Sequence, residues 1–192
     1  MKERFPGIEV GGVSIGAVID AFAQYPSIVN KYLIQYGLGS KQGVIDRSAW
    51  YSLDKWLAVY SDISKEVGVN SLYSIGKKVP GHAELPPTIT DIRSVFASLN
   101  VAYHLSHRKD GEVMFDVATG KKLDGIGSVK CDLAEGENKL TLTFENPYPC
   151  EFDRGLVHGF AMRFEPAARV MHDNNAPCRK KGAESCTYHV QW

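Results

Sequence analysis

At Arg108 the spacing of apolar residues changes from the helical period to strict alternation, and this switch constrains the fold more than any other feature of the chain. Upstream the pattern is helical. Ser14 stands before Ile15, Val18, Ile19 and Phe22, Pro26 interrupts the run, and Ser27 precedes Val29, Tyr32, Leu33 and Tyr36. Gly37 offers a left-handed stop. Asp46 then leads into Trp50, Leu53, Leu57, Tyr60, Ile63 and Val67, closed by Gly68, the clearest amphipathic stripe in the chain. Residues 79–87, with Pro80, Gly81, Pro86 and Pro87, read as a linker. Thr88-Ile89-Thr90-Asp91 has capping-box spacing ahead of Ile92, Val95, Phe96, Leu99 and Tyr103.

Downstream, Val113, Phe115 and Val117 alternate with Glu112, Met114 and Asp116, so the apolar set should face inward from a strand. A second strand is expected over 126–132. Glu135-Gly136-Glu137-Asn138 reads as a hairpin turn before Leu140, Leu142 and Phe144. Asn146-Pro147-Tyr148-Pro149 ends that sheet, 153–164 suits a helix, and 186–192 alternates as a final strand. The expectation is an α+β fold: N-terminal helices packed on an antiparallel sheet, with a late helix and a closing hairpin. We read 1–192 as a single domain, with a helical half over about 10–108 and a sheet, late helix and cysteine hairpin over about 110–192.

Charge and composition narrow the function classes. Twenty-two basic and twenty-two acidic side chains cancel, so no basic excess points to nucleic acid, and Arg179-Lys180-Lys181 reads as a solvated turn. No run of about 18 apolar residues suggests a membrane span, and Met1-Lys2-Glu3-Arg4-Phe5-Pro6 has no signal-peptide character, so a cytoplasmic protein is expected. There is no Gly-x-Ser-x-Gly or other nucleophile motif, which favours binding over catalysis. Gly11-Gly12-Val13-Ser14-Ile15-Gly16 has the look of a phosphate loop but lacks its lysine.

Three of the four cysteines, Cys150, Cys178 and Cys186, fall in the last quarter. Pairing of 169–174 with 187–192 as a hairpin would bring Cys178 and Cys186 together, and the entry of the late helix could add Cys150. Three soft thiolates with His172 or Asp173 as the fourth ligand would suit tetrahedral zinc; buried small thiols are the other reading. Cys131 sits on a middle strand and reads as a core thiol.

The stretch Cys150-Glu151-Phe152-Asp153-Arg154-Gly155-Leu156-Val157-His158-Gly159, together with Cys178-Arg179-Lys180-Lys181-Gly182-Ala183-Glu184-Ser185-Cys186-Thr187-Tyr188-His189-Val190, resembles the vinyl-4-reductase-type domains. The matching motifs cover the last 45 residues or so; upstream only the order of elements agrees. That family is similar in fold to trafficking-tether (TRAPP-like) and haem-nitric-oxide-binding domains, and includes sensory domains of bacterial transcription activators. The resemblance implies an apolar small-molecule pocket, a nearby structural zinc and dimerisation, with Cys150, Cys178 and Cys186 as metal ligands. Where the sensor branch has an acidic residue three positions before the second cysteine, this chain has Asn175.

Among the remaining residues, Trp50, Trp56, Tyr60, Tyr103 and Phe160 are candidates for an aromatic-lined ligand pocket, with plain core packing as the other reading. His104 and His107 are candidate axial haem ligands; alternatively they form a polar helix end suited to the helix dipole. His158, between Gly155 and Gly159, reads as a surface or interface histidine. The leading expectation is a small-molecule sensor domain with a zinc corner, acting as a homodimer or through a separate signalling partner. The alternatives are a haem- or tetrapyrrole-binding protein, for gas sensing or pigment metabolism, and a dimeric interaction scaffold.

Overall fold

A computed structural model describes residues 3–133 and 136–192. Along the chain these residues form β1 (Ile8–Gly11), α1 (Gly12–Ala21), α2 (Pro26–Gln35), β2 (Trp50–Ser52), α3 (Leu53–Val67), α4 (Val69–Lys78) and α5 (Ile92–Leu105). There follow β3 (His107–Lys109), β4 (Glu112–Val113), β5 (Ser128–Leu133), β6 (Lys139–Glu145), α6 (Cys150–Phe164), β7 (Arg169–His172) and β8 (Cys186–Gln191). The fold is α+β, as its periodicity implies. It divides into two compact units, one holding residues up to Ser71 with Val101–Ile126 and the other Leu72–Asn100 with Gly127–Trp192.

The first unit contains an antiparallel sheet of order β2-β1-β3-β4 that the helical reading of the N-terminal half did not anticipate. Trp50 therefore lies on a strand, opposite Gly11, and the long helix starts at Leu53 rather than after Asp46. Ser52 caps it, its hydroxyl accepting from the Lys55 amide at 3.4 Å. From Leu53 onward the helical stripe holds, and Leu53, Trp56, Tyr60 and Ile63 are buried. Glycine explains the Gly11-Gly12 loop without a phosphate. Its amides donate to the carbonyls of Ser106 and Ala49, and a side chain at Gly12 would strike the backbone of the 46–49 segment. Ser14 lies inside α1, not at its cap, and α2 opens on Pro26 with Tyr25 before it instead of being capped by Ser27.

Alternation misled at 113–117. Val113 and Val117 are exposed, whereas Met114 is fully buried, because β4 ends at Val113 and the chain turns through an Asp116-centred loop. The α5 cap is likewise shifted: Asp91 and Ser94 bond each other's amides reciprocally, at 2.7 and 3.1 Å, and the helix starts at Ile92.

In the second unit β5-β6-β8-β7 form an antiparallel sheet in which Cys131, Leu142, Tyr188 and His172 stand in one row. Leu140, Leu142 and Phe144 of β6 and Cys186, Tyr188 and Val190 of β8 share the buried face. Of the hairpin turn expected at Glu135-Gly136-Glu137-Asn138, Glu135 lies outside the described residues. The late helix α6 starts at Cys150, three residues earlier than its apolar spacing suggests. It meets α4, a helix over residues to which the apolar pattern assigned no element, through Gly76, Gly155 and Gly159. Each of these glycines faces a backbone carbonyl of the opposite segment: Phe152 for Gly76, Tyr73 for Gly155 and Lys77 for Gly159.

Because the obstruction at these positions is backbone, no rotamer change relieves it. Gly155→Ala should lower unfolding free energy by about 1–3 kcal/mol in chemical denaturation, through overpacking. Gly81→Ala, with open space around it, should stay within about 0.5 kcal/mol of the parent. Equal stability of the two variants would contradict the close packing of α4 on α6.

Candidate metal centre and buried histidines

Three elements converge on one corner of the second unit. Cys150 is the first residue of α6, Cys178 precedes the short 3-10 turn Arg179–Lys181, and Cys186 opens β8 opposite Phe144. The β7–β8 pairing expected from sequence is present and carries the two hairpin cysteines together, their Sγ atoms 3.9 Å apart. All three Sγ atoms lie within 4.8 Å of one another, and all three residues are buried. The Tyr188 hydroxyl ties the helix start to the sheet by donating to the Cys150 carbonyl at 2.9 Å.

Arg179, expected on a solvated turn, is instead the organiser of this corner. Its backbone amide and Nε both donate to Cys186 Sγ at 3.4 Å. Nη1 donates to the carbonyls of Asn146 and Tyr148, at 2.6 and 2.9 Å, and to the Asn146 side chain. Nη2 meets Asp153 Oδ2 at 2.5 Å, with the two side chains 11% and 2% exposed. Burial opposes the charge on Arg179, but the Asp153 carboxylate outweighs it, so the pKa is raised and the guanidinium stays charged. The sequence signal for this role was faint: an arginine directly after a cysteine, and an acid one helical turn after another.

Hydrogen bonding from Cys150, with further stabilisation by Arg179 and His172 against the cost of burial, holds the Cys186 thiol well below the ordinary thiol range. Cys150 moves the opposite way, pushed up by its bond to Cys186 and by burial. One thiolate in a trio of sulfurs beside a guanidinium is a soft anionic site. Of the two fourth-ligand candidates, Asp173 is committed elsewhere. Its Oδ1 accepts from the amides of Asn175 and Ala176, and Oδ2 contacts His189 Nε2 at 3.2 Å. His172 lies beside Cys186, its ring centroid 5.3 Å from that of Tyr188, and its Nε2 is buried without a hydrogen-bond partner. Cys131 stands on β5 outside the trio; burial raises its pKa to about 11.

In the first unit, His104 and His107 are 1% and 2% exposed, which replaces the polar helix end by a buried one. Tyr103 packs its ring against both, at 5.3 and 4.8 Å, and donates its hydroxyl to the Ile126 carbonyl at 2.7 Å. His107 Nδ1 lies 2.7 Å from the Tyr103 carbonyl. A carbonyl only accepts, so Nδ1 carries the proton and Nε2 the lone pair. Burial lowers the His107 pKa to about 4, partly offset by that bond, and the ring is neutral at physiological pH.

The other pocket candidates are dispersed. Trp56 and Tyr60 are buried edge-to-face at 4.9 Å, Trp50 lies under the Arg108 guanidinium, and Phe160 belongs to the second unit. An open groove of about 400 Å³ in the first unit has a mixed lining that includes Phe5, Ile8, Glu9, Ser52, Arg108 and Asp110 and none of these aromatics. His158 pairs with the Tyr73 hydroxyl on the α4–α6 contact, in keeping with an interface histidine. Among the described residues no helix is long and apolar enough to cross a membrane.

No family profile and no curated protein sequence matches the chain. Solved structures do. An H-NOX protein from S. oneidensis in the Fe(II)NO ligation state aligns over 94% of this chain and 98% of its own, with a TM-score of 0.66 and 18% identity. An oxygen-binding H-NOX domain related to soluble guanylate cyclases, in its oxygen complex, aligns over 94% and 93%, with a TM-score of 0.66 and 13% identity. The Fe(II)CO form of the Shewanella oneidensis H-NOX domain, solved by NMR, gives 95% and 97%, with a TM-score of 0.62 and 17% identity. The chain thus has an H-NOX-like fold. The likeness covers 94–95% of the chain and corresponds to the haem-nitric-oxide-binding side of the resemblance seen in the sequence.

The Arg179–Asp153 pair generates the test of the corner. Asp153→Ala leaves a buried guanidinium unpaired and should cost about 3–5 kcal/mol in urea unfolding. Adding Arg179→Met to that variant should recover part of the loss, since it removes the orphaned charge. A loss under about 1 kcal/mol for Asp153→Ala would contradict the buried pairing.

Proposed function

We propose that the chain is a small-molecule sensor domain of the haem-binding, gas-sensing type, stabilised by a zinc ion at its thiol corner. The H-NOX-like fold over 94–95% of the chain supports the class. The observation that carries the reading is the state of His107: buried, neutral, its Nδ1 proton given to a backbone carbonyl and its lone pair on Nε2. A histidine that coordinates metal uses that form, with the second nitrogen donating to a carbonyl or carboxylate. Axial ligation is therefore the part of a haem site that these residues would supply, with His107 the ring whose tautomer is fixed. A bound haem would offer an iron centre for a diatomic ligand, with axial ligand and local polarity tuning which gas is held. Tyr103 orients His107, and the Tyr103–Ile126 hydrogen bond fixes Tyr103 in turn.

The zinc half rests on the donor set. Cys150, Cys178 and Cys186 would supply three soft ligands within one corner, and His172, beside Cys186, would supply the fourth. Binding requires thiolates, and Arg179 already favours that form at Cys186. Four protein ligands would leave no open position for a substrate, as in a structural zinc site. A second copy of the chain or a separate signalling partner would read the liganded state, and the cytoplasm is the compartment in which free thiols of this kind persist.

One preparation tests both halves. Purified native protein should contain about one zinc per chain and should give a Soret band on haem addition that His107→Ala abolishes. A protein that stays colourless after haem addition would sink the haem reading. A band lost in His104→Ala but kept in His107→Ala would contradict the assignment of the axial ligand. Absence of zinc would reduce the trio to packed thiols.

A further inference from the structure

We propose that Thr141, His189 and Asp173 form a nucleophile, a base and an orienting acid on the open face of the second unit's sheet, and that the Thr141 hydroxyl takes an acyl group from activated esters. The register sets them side by side. Thr141 of β6 is the direct partner of His189 of β8, and Met171 of β7 is the partner of His189 on its other side. Asp173 continues that edge: its amide donates to the Thr187 carbonyl at 2.9 Å, and alternation puts its side chain on the same face as Met171. The same alternation turns these side chains away from Tyr188 and the thiol corner. Thr141 Oγ1 lies 3.1 Å from His189 Nδ1, and His189 Nε2 lies 3.2 Å from Asp173 Oδ2.

Hydrogen-bond chemistry assigns the protons. An ionised carboxylate only accepts, so in the neutral ring Nε2 carries the proton and Nδ1 the lone pair. The Thr141 hydroxyl is then the donor to Nδ1, the arrangement in which a base draws a proton from a nucleophile. Asp173 is itself fixed, since its Oδ1 accepts from the amides of Asn175 and Ala176. Solvent reaches the group: the His189 and Asp173 side chains are 42% and 26% exposed. Met171, opposite His189 and 56% exposed, gives the site an apolar edge, which selects esters and thioesters of short apolar acyl groups. The next row of the face, Gln191 opposite Arg169, carries N–H donors of the kind that stabilise an oxyanion. Attack of Oγ1 on the acyl carbon forms a C–O bond as its proton passes to Nδ1, while the Nε2 proton stays bonded to Asp173. The tetrahedral carbon expels the alcohol or thiol, which takes the proton from Nδ1. Water then attacks the acyl-threonine by the same route, releasing the free acid and restoring the hydroxyl.

The test treats the purified full chain with p-nitrophenyl acetate, quenches it with acid and maps the acetylated peptides over time. The expected result is an acetyl group on Thr141, absent in Thr141→Val and formed about a hundredfold more slowly in His189→Gln. Thr143→Val, on the same strand face but opposite Thr187 instead of a histidine, should behave like the parent. Asp173→Asn separates positioning from folding. Its side-chain oxygen still closes the turn on Asn175 and Ala176, which puts its amide nitrogen toward Nε2, so Nε2 accepts and Nδ1 takes the proton. Acylation of Thr141 should then fall as far as in His189→Gln with the melting temperature kept. NMR shifts of the His189 ring nitrogens should show the proton moved from Nε2 to Nδ1. Acetyl groups on lysine, cysteine or His189 but never on Thr141 overturn the proposal. So does Thr141 acetylation at the parent rate in His189→Gln, or a parent spectrum with the proton on Nδ1.

Discussion

A guanidinium taken out of water must have its donors answered, and in the second unit the answer to Arg179 determines how three segments meet. The loop at Asn146–Tyr148 supplies carbonyls, α6 supplies Asp153, and β8 supplies the Cys186 sulfur. None of these acceptors is close to Arg179 in sequence except Cys186. The ion pair therefore works as a positional constraint: desolvation offsets much of its Coulomb energy, but misplacing any partner leaves a buried charge unmet. Its result is that the helix start and the hairpin end present their sulfurs to one another.

The rest of the unit makes that meeting rigid. The register of β6, β8 and β7 fixes Tyr188 beside His172 and sets its hydroxyl on the first carbonyl of α6. The three glycines on the α4–α6 contact let backbones approach at a distance that any side chain would prevent. Local turn chemistry contributes as well. Asp173 closes an Asx turn on the amides of Asn175 and Ala176, which commits its carboxylate outside the thiol corner. In the first unit a comparable economy of hydrogen bonds holds the buried end of α5, where Tyr103 binds Ile126 through its hydroxyl and His107 through its carbonyl.

Regular burial was legible in the sequence, and irregular burial was not. The β6 and β8 alternations, the α3 stripe from Leu53 onward and the late helix all follow from apolar period, because each buries one continuous face. The convergence of Cys150, Cys178 and Cys186 was likewise readable, since it needs only a hairpin and a helix start. The strands β1 and β2 were missed because each is only three or four residues long and runs directly into a helix, so the helical stripe absorbs them. Val113 and Val117 misled because a two-residue strand and a loop impose no common face. Arg179 was read as solvated for its charge, and the polar-helix-end alternative for His104 and His107 rested on their polarity. Their burial depends on partners up to 33 residues distant in sequence, and no local pattern records that.

Zinc K-edge absorption spectroscopy on the purified chain tests the account of the thiol corner most directly. Three sulfur scatterers at about 2.3 Å and one nitrogen at about 2.0 Å, with the nitrogen contribution lost in His172→Ala, is the expected result. A sphere of oxygen and nitrogen alone, or a spectrum unchanged by that substitution, would contradict a site built from Cys150, Cys178, Cys186 and His172.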